Sequence, residues 1–389
     1  MIVQRQIEKE IRDALSNYPV VIITGARQTG KTTVARQVSD KPYFNLESPD
    51  VRAIAKNDPR LFLSKIGDRG AIIDEFQRVP ELASYIQEMV DEQSENGLFI
   101  LTGSNNFLLM EQVSQSLAGR AAILKLMPFS YPELLHFNKP FTTDEILYKG
   151  FYPAIHAKDL NPFKTYSYYY QTYIERDVRQ LINIKDMNLF QRFMKLCAGR
   201  SGQLVNYDQL ANETGVTGKV IKNWISVLQA SYILYLLPPF FENIKKRVIK
   251  SPKLYFNDVG FAAYLLNIEK VQHMESHPLR GQLFENMVIN EYLKYRYNRG
   301  MESNAFFYRD NHQNEVDLFI QSGNAFELVE IKSAATYHTG FRQHLDWLAR
   351  QLPGTKITKT VVYDGSREWQ NDEIRIVNFR TFSKDFMDI

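Results

Sequence analysis

The segment that most restricts the fold of this chain joins a short apolar run to a helical pattern through a loop with two glycines. The loop reads Gly25-Ala26-Arg27-Gln28-Thr29-Gly30-Lys31-Thr32 and directly follows the β-branched residues 20–23. A run of this kind before a glycine loop is typical of a buried strand. Further apolar runs at 71–73 and 98–101 are separated by helical patterns, as at 4–17 and 80–91. Alternating strands and helices predict an α/β fold with a parallel sheet covered on both faces.

The glycine loop matches the pattern G-x-x-x-x-G-K-[ST], which predicts a phosphate-binding loop when a strand precedes it and a helix follows. Gly25 and Gly30 let backbone N–H groups converge on phosphate oxygens, and the helix adds positive potential. Lys31 would neutralise the β- and γ-phosphates of ATP, and the Thr32 hydroxyl would reach Mg²⁺. We expect the nucleotide to contact Gly25, Ala26, Arg27, Gln28, Thr29, Gly30, Lys31, Thr32 and Thr33.

Polar residues end the next two apolar runs. Asp74 and Glu75 follow the first, and Ser104 and Asn105 follow the second. A carboxylate at a strand end beside a phosphate loop can hold the magnesium shell, so Asp74 is predicted as a metal ligand together with Thr32. Glu75 is the candidate general base for the attacking water. Ser104 and Asn105 are candidates for contacts with the γ-phosphate or that water. Ordinary polar turns at strand exits are the alternative.

Four segments follow one another in the order GARQTGKTT, IIDEFQ, LFILTGSNN and SLAGRAAILKLMPFSYPEL, and later come YIERDV at 173–178 and LFEN at 283–286. This order resembles the AAA+-type ATPases of bacteria and archaea that carry a C-terminal domain of unknown function. The resemblance implies an AAA+-like P-loop domain, a helical linker, a winged helix and a restriction-endonuclease-like α/β domain. We place these at 1–135, 136–189, 190–256 and 257–389.

Two arginines are candidates for stabilising the charge of a transferring phosphoryl group. Arg120 precedes an apolar run, and Arg176 lies in the segment YIERDV. Either could act in cis or from a neighbouring subunit, and the second case would require a homo-oligomer. The alternative is that each is a surface or interface arginine paired with an acidic residue.

The middle of the chain has the pattern of a helix-turn-helix followed by a β-wing. Two helical patterns are joined by Gly215-Val216-Thr217, and apolar runs at 232–237 and 253–256 follow. Basic residues lie on the second helix and on or near the wing: Lys219, Lys222, Lys245, Lys246, Arg247, Lys250 and Lys253. This pattern predicts DNA binding mostly through phosphates, with weak sequence specificity. Alternatively, the winged helix serves domain packing and its lysines are solvated.

The last part of the chain carries carboxylates and a lysine in a suggestive spacing. Glu330 and Lys332 lie two residues apart on a predicted strand, hence on one face, and a hairpin would bring Asp317 to them. With Glu285 on the preceding helix, the set resembles the PD-(D/E)XK nuclease superfamily, although Val316 stands where the motif has proline. The resemblance implies catalytic roles for these four residues, with Asp317 and Glu330 as Mg²⁺ ligands. A catalytically inactive docking platform is the alternative.

Composition limits the function in other ways. The net charge is only +3, so any basic surface for nucleic acid must be local. Cys197 is the one cysteine, which excludes an internal disulfide framework. The apolar stretch at 233–241 contains two prolines and is too short to span a bilayer. We expect a cytoplasmic protein without membrane contact.

The predicted function is a Mg²⁺-dependent ATPase coupled to DNA binding, with DNA cleavage as an optional second activity. The alternative is an ATP-dependent switch or interaction protein whose nuclease-like domain does no chemistry. A small-molecule kinase is disfavoured because it would need no winged helix.

Overall fold

The computed structural model describes residues 2–104, 116–178, 184, 186–240 and 249–385, with side chains at 175–178 left out. The chain divides into two compact units. The first comprises Met1–Phe129, Ala230–Tyr232 and Arg296–Glu302; the second comprises Ser130–Gln229, Ile233–Tyr295 and Ser303–Ile389. The predicted boundaries at 189/190 and 256/257 therefore fall inside the second unit.

The first unit is built on a five-stranded sheet in which every neighbouring pair of strands is parallel. Its strands are β1 Val20–Thr24, β2 Tyr43–Asn45, β3 Ala71–Asp74, β4 Phe99–Gly103 and β5 Ala121–Lys125, in the order β2-β3-β4-β1-β5. Because the strands are parallel and β4 lies between β1 and β3, the carboxyl ends of these three strands lie side by side. The predicted parallel sheet is confirmed.

Helices cover both faces of this sheet because its central strands are apolar on both sides. Val21 and Ile23 pack into one core with Ile7 and Ile11, whereas Val20 contributes to a core on the other face. The helices are Glu8–Asn17, Lys31–Val38, Pro49–Asn57, Pro59–Ile66 and Leu82–Gln93, with a 3₁₀ turn at Phe76–Arg78.

Two later parts of the chain complete the first unit. The Tyr232 hydroxyl donates to Thr24 Oγ1 at 2.8 Å, directly before the glycine loop. From the other segment, Glu302 pairs with Lys125 at 2.8 Å. The unit therefore depends on residues far from its amino-terminal part in sequence.

The second unit combines helices with two sheets. Its helices, some of which extend beyond the unit, are Tyr131–Leu134, Thr143–Lys149, Pro153–Ala157, Pro162–Tyr169, the π-helical Tyr170–Val178, Met187–Ala198, Tyr207–Thr214, Gly218–Ala230, Val259–Leu265, Val271–Glu275, Arg280–Tyr297, Gln343–Gln351 and Phe379–Asp385. The 3₁₀ turns are Leu135–Phe137 and Thr339–Arg342. Among the helices described in either unit, none has both the length and the apolar character required to cross a bilayer.

The strands of the second unit form an antiparallel pair and a mixed six-stranded sheet. The pair is β6 Leu234–Leu237 and β7 Lys253–Phe256. The larger sheet contains β8 Ala305–Arg309, β9 Glu315–Ser322, β10 Ala325–Lys332, β11 Lys356–Tyr363, β12 Trp369–Gln370 and β13 Arg375–Asn378, in the order β12-β13-β11-β10-β9-β8. Strands β9 and β10 are antiparallel neighbours, so the predicted hairpin is present.

Helices and the β6–β7 pair occupy the positions at which the sequence predicts a winged helix. Helix Tyr207–Thr214 ends at Gly215, whose left-handed φ of 86° allows the tight turn into helix Gly218–Ala230. Ile221, Trp224 and Leu228 lie on the buried face of the second helix. The assignment of this region to a winged-helix fold stays a prediction.

A buried carboxylate organises the tyrosine-rich helices of the second unit. Asp258 accepts hydrogen bonds from Tyr166 Oη at 2.6 Å, from Phe151 N at 2.7 Å and from Phe261 N at 3.0 Å. Burial raises the pKa of Asp258, while these donors oppose that rise. The carboxylate thus satisfies three donors that burial removes from bulk water.

Replacing Asp258 with Ala should therefore destabilise the protein by about 2–4 kcal/mol, because it leaves buried donors without an acceptor. Urea unfolding measures the change. Asp372→Ala is the control, since Asp372 is an exposed residue of the same unit and its replacement should change stability by less than about 0.5 kcal/mol. Equal effects of the two substitutions would contradict the assigned role of Asp258.

Candidate functional site

The glycine loop leaves β1 in a backbone conformation that side chains would prevent. Gly25 has φ 148°, and a Cβ there would lie 2.1 Å from the carbonyl oxygen of Leu126. Gly30 has φ 94° and directly precedes helix Lys31–Val38. Thr33 is exposed on the first turn of that helix. The two glycines of the motif are thus required by local geometry, and the loop keeps the tight path that a phosphate cradle needs.

An arginine that sequence analysis did not single out supports this loop. Arg5 donates to the carbonyl oxygens of Thr29 at 2.8 Å and Met127 at 2.7 Å. Its guanidinium also lies over the ring of Phe129, 4.9 Å from the ring centroid. Within the loop, the Thr29 hydroxyl donates to the Ala26 carbonyl oxygen at 2.9 Å. No sequence pattern links Arg5 to a loop that lies so far along the chain.

The Lys31 ammonium is held by the loop itself. Its Nζ donates to the carbonyl oxygens of Gly25 at 3.0 Å and Ala26 at 2.7 Å. Burial lowers the pKa of Lys31 to about 8, although the nearby carboxylates of Glu75 and Asp74 act in the opposite direction. The two groups that accept hydrogen bonds from this ammonium are neutral carbonyls. A bound phosphate would place negative charge in direct contact with it and so favour its protonated form.

Asp74 collects hydrogen bonds from several elements at the carboxyl edge of the sheet. Its Oδ2 accepts from Thr32 Oγ1 at 2.8 Å and from the Tyr43 hydroxyl at 2.7 Å. Its Oδ1 accepts from the Thr102 hydroxyl and from Glu75 N, the latter at 3.1 Å. A hydroxyl and a carboxylate in contact are the hard oxygen donors that suit Mg²⁺, so Thr32 and Asp74 fit this cation.

Tyr43 and Thr102 were not among the predicted site residues. Thr102 follows the apolar run at 98–101, so its place at a strand end was a usable signal. Tyr43 lies in the three-residue strand β2, which leaves too little pattern in the sequence to locate it.

Glu75 is oriented by a side chain two residues further along the chain. Its own backbone has a left-handed φ of 56°. Gln77 Nε2 donates to Glu75 Oε2 at 2.5 Å and lies 3.5 Å from Ser104 Oγ. Burial raises the pKa of Glu75, and the charge of Lys31 partly offsets that rise. The structure thus brings Ser104 to Glu75 through Gln77, while Asn105 lies outside the described residues.

The two candidate arginines are not joined to this site by the described contacts. Arg120 immediately precedes β5, and its carbonyl accepts from Val20 N at the amino end of β1, away from the loop. Its guanidinium pairs with Asp91 at 2.5 Å on the surface. This placement contradicts a role for Arg120 in cis, whereas a role from another subunit stays a prediction. The side chain of Arg176 lies outside the described residues.

The second unit brings together the predicted carboxylate–lysine set. Lys332 Nζ lies 2.6 Å from Glu330 Oε1 and 3.8 Å from Asp317 Oδ2, as expected for residues on one strand face and its hairpin partner. Asp317 lies where β9 has one residue more than β8, a bulge that re-aims its side chain. Its Oδ2 accepts from Ile331 N at 2.9 Å.

Lys253 joins this set unexpectedly. Its side chain is buried, and its Nζ lies 3.1 Å from Glu285 Oε1 and 2.5 Å from Glu315 Oε1. The hydroxyl of Tyr255 also donates to Glu285 Oε1. The prediction that Lys253 contacts DNA is therefore wrong, because the residue is enclosed by carboxylates.

The other predicted DNA-contacting lysines divide into two groups. Lys219, Lys222 and Lys250 are exposed. The basic residues at 245–247 lie outside the described part of the chain.

Burial and neighbouring charges shift the pKa values of the carboxylate–lysine set. Burial and the charge of Asp317 raise the pKa of Glu330 to about 8, against the opposing effect of Lys332. Burial alone would lower the pKa of Lys253, but Glu285, Asp317 and Glu315 raise it on balance. In the described part of the chain, no three His, Cys, Asp or Glu side chains are arranged to hold a metal ion. The expected Mg²⁺ ligands Asp317 and Glu330 thus both lie close to the ammonium of Lys332, which partly compensates their charge.

Comparison with protein families divides the chain into three matched regions. Residues 17–135 match a family described as an AAA domain. Residues 141–272 and 280–382 match two domains of unknown function, DUF8612 and DUF4143. The first match agrees with an ATP-binding, AAA-type ATPase domain in the first unit.

Relatives cover most of the chain. Uncharacterized protein Rv2008c of Mycobacterium tuberculosis is 30% identical over 344 residues, which are 86% of this chain and 75% of the relative. Uncharacterized protein Mb2031c of Mycobacterium bovis matches with the same values. Uncharacterized protein MJ1544 of Methanocaldococcus jannaschii is 24% identical over 357 residues, 84% of this chain and 77% of the relative.

Solved structures also match over much of the chain. A signal transduction ATPase with numerous domains and a tetratricopeptide repeat sensor, from Pyrococcus horikoshii, aligns with a TM-score of 0.26 and 13% identity, covering 78% of this chain and 48% of that one. A DNA replication initiation factor aligns with a TM-score of 0.27 and 10% identity, covering 77% and 83%.

The lowered pKa of Lys31 predicts that ATP binding takes up protons near pH 8. With a pKa of about 8 in the free protein, about half of the Lys31 side chains are neutral at that pH, and bound phosphates favour the charged form. Calorimetry in buffers of different ionisation enthalpy should measure uptake of about half a proton at pH 8 and much less at pH 6.5. Lys31→Arg stays charged, so any ATP binding that this variant retains should occur without this uptake. Uptake that persists in Lys31→Arg would contradict the assignment.

Proposed function

Because this chain belongs to the same family as Rv2008c and matches an AAA domain, we propose that it is a Mg²⁺-dependent ATPase whose cycle is coupled to DNA binding. The observation that carries the proposal is the carboxylate of Asp74. It lies beside the phosphate loop, bonded to the Thr32 hydroxyl and next in sequence to the buried acid Glu75. These are the parts that phosphoryl transfer to water needs at one place.

The loop and Lys31 are assigned to substrate binding. Backbone N–H groups of the loop and the amino end of helix Lys31–Val38 attract the phosphates of ATP. The Lys31 ammonium, bonded to two neutral carbonyl groups in the free protein, exchanges them for charged phosphate oxygens. Thr32 and Asp74 would hold Mg²⁺, which neutralises charge on the phosphate oxygens when bound.

Glu75 is assigned as the general base. Burial raises its pKa, which makes its carboxylate a stronger base while Lys31 keeps it ionised more than burial alone would. Gln77 fixes one of its oxygens at 2.5 Å and so orients the carboxylate. Proton abstraction from water positioned by this group would then start hydrolysis.

Glu75→Gln should keep ATP affinity and lower turnover by about 10²–10⁴-fold, because the amide keeps the shape of the side chain but cannot accept a proton. Phosphate release and nucleotide binding are measured on the same preparation. Glu88→Gln is the control, since Glu88 forms an exposed pair with Arg60 in the same unit and should leave turnover unchanged. Wild-type turnover in Glu75→Gln would remove Glu75 from the mechanism.

Coupling to DNA is supported by the exposed lysines of the predicted winged helix. Lys219 and Lys222 lie on helix Gly218–Ala230, and Lys250 precedes β7. Exposed ammonium groups on such a helix are suited to phosphate contacts rather than to base reading. Stimulation of ATP hydrolysis by duplex or single-stranded DNA separates this function from that of an ATP-dependent switch, whose turnover would not respond.

The double variant Lys219→Ala/Lys222→Ala should weaken DNA binding similarly for all sequences. The slope of log affinity against log salt should shrink by up to about 0.9 for each DNA phosphate that the variant no longer neutralises. Lys158→Ala/Lys164→Ala removes the same charge from exposed positions elsewhere in the second unit and serves as the control. If both variants bind DNA like the wild type, the lysines of this helix are only solvated.

DNA cleavage receives less support. Its predicted residues Glu285, Asp317, Glu330 and Lys332 are brought together. The set does not fit a divalent cation, because Lys253 occupies an oxygen of Glu285 and Lys332 occupies one of Glu330. These contacts favour a role of this unit without nuclease chemistry.

A further inference from the structure

Four carboxylates of the second unit lie close together, and each has a positively charged side chain near it. We define the acidic cluster as Glu285, Glu315, Asp317 and Glu330. Lys253 contacts Glu285 at 3.1 Å and Glu315 at 2.5 Å, and Lys332 contacts Glu330 at 2.6 Å and Asp317 at 3.8 Å. Arg309 adds a contact of 3.0 Å with Glu315. Every carboxylate of the cluster thus has a cationic partner on the protein itself.

The fold fixes the position of Lys253. Its backbone pairs with Leu237 of β6 on one side and bridges to Leu204 on the other, so β7 is held at this residue from both sides. The residue is 1% exposed. A lysine so deeply enclosed cannot swing into water, and its ammonium is retained only because carboxylates compensate it.

Lys253 occupies one of the oxygens that a metal would need, Oε1 of Glu285. Divalent magnesium or manganese requires several oxygen lone pairs at short distance. Glu285 Oε1 already accepts from both Lys253 and Tyr255. A dication beside the ammonium would also meet like-charge repulsion.

One oxygen of the cluster has no partner. Glu330 Oε2 is buried and makes no hydrogen bond among the described residues. A buried carboxylate oxygen without a donor is an available ligand once a cation can approach it. The acidic cluster therefore has the carboxylate ligands of a cation site, and the ammonium of Lys253 takes the place of the cation.

We propose that Lys253 is the resident cation of the acidic cluster and that the wild-type cluster binds no divalent metal. The ammonium fastens β7 to β9 and to helix Arg280–Tyr297, which makes this unit a metal-independent scaffold. Removal of this ammonium frees Glu285 Oε1, which can then act with Asp317 and the unpartnered Glu330 Oε2 as a latent divalent-cation site. Lys332 does not close this site, because it contacts the other oxygen of Glu330. This inference does not depend on ATP hydrolysis by the first unit.

The test titrates Mn²⁺ into nucleotide-free protein and follows binding by electron paramagnetic resonance. All variants carry Asp74→Asn, which removes the carboxylate beside the phosphate loop. The background protein should show no Mn²⁺ site, and Lys253→Arg should behave in the same way. Lys253→Met should gain one site at least about tenfold tighter than any background binding. Adding Asp317→Asn to Lys253→Met should abolish that site.

Two outcomes would overturn the inference. One is stoichiometric Mn²⁺ binding by the background protein that Asp317→Asn abolishes, or Mn²⁺-dependent nicking of plasmid DNA with the same requirement. The other is a folded Lys253→Met protein that gains no site. Circular dichroism checks folding, and Lys253→Gln replaces Lys253→Met if the methionine variant unfolds. If neither variant folds, the background titration still tests whether Lys253 is the resident cation. A Mn²⁺ site that Asp317→Asn abolishes overturns that assignment, and the absence of such a site supports it.

Discussion

Four elements of the first unit meet at the carboxylate of Asp74. The residue ends β3, and it accepts hydrogen bonds from Tyr43 on β2, from Thr102 on β4 and from Thr32 on the helix after the glycine loop. A carboxylate that is only 5% exposed is stable in this position because these donors replace water. The strand order makes the arrangement possible, since β4 lies between β1 and β3. Any ligand that takes the Thr32 hydroxyl therefore changes a hydrogen-bond network that extends across the sheet edge.

Two of the buried lysines differ in the charge of their hydrogen-bond partners, and this difference shifts their pKa values in opposite directions. Lys31 is held by neutral carbonyl groups, and its pKa is lowered because no partner fully replaces the charge stabilisation of water. Lys253 is held by carboxylates, and its pKa is raised. The first arrangement favours the approach of an anion, whereas the second is already neutralised. Burial alone therefore does not distinguish a binding lysine from a structural one; the charge of its neighbours does.

The sequence was sufficient wherever the controlling interactions are local. The glycine loop, the strand before it and the acid pair Asp74 and Glu75 each show as a short local pattern, and the parallel sheet follows from the alternation of apolar runs. The spacing of Glu330 and Lys332 also places them correctly on one strand face. Prediction failed where tertiary contacts decide. The sequence predicts Lys253 as a wing lysine, but Glu285 and Glu315 enclose it in the structure. The sequence also makes Arg120 a candidate catalytic arginine, but this residue precedes β5 and so lies at the end of the strands opposite the glycine loop. Arg5 lies in no quoted motif, and Gln77 ends the segment IIDEFQ without any pattern that indicates its contact with Glu75.

The first unit is discontinuous in sequence, and this affects the order in which its contacts can form during folding. Residues Ala230–Tyr232 and Arg296–Glu302 belong to it, with Tyr232 bonded to Thr24 at the end of β1. During synthesis the amino-terminal sheet emerges from the ribosome long before these segments do. The contacts that these two segments make with the amino-terminal sheet can therefore form only after residue 302 has been translated. A gene fragment cut after the AAA-matching region would lack Tyr232 and Glu302, and with them the hydrogen bond to Thr24 and the ion pair with Lys125.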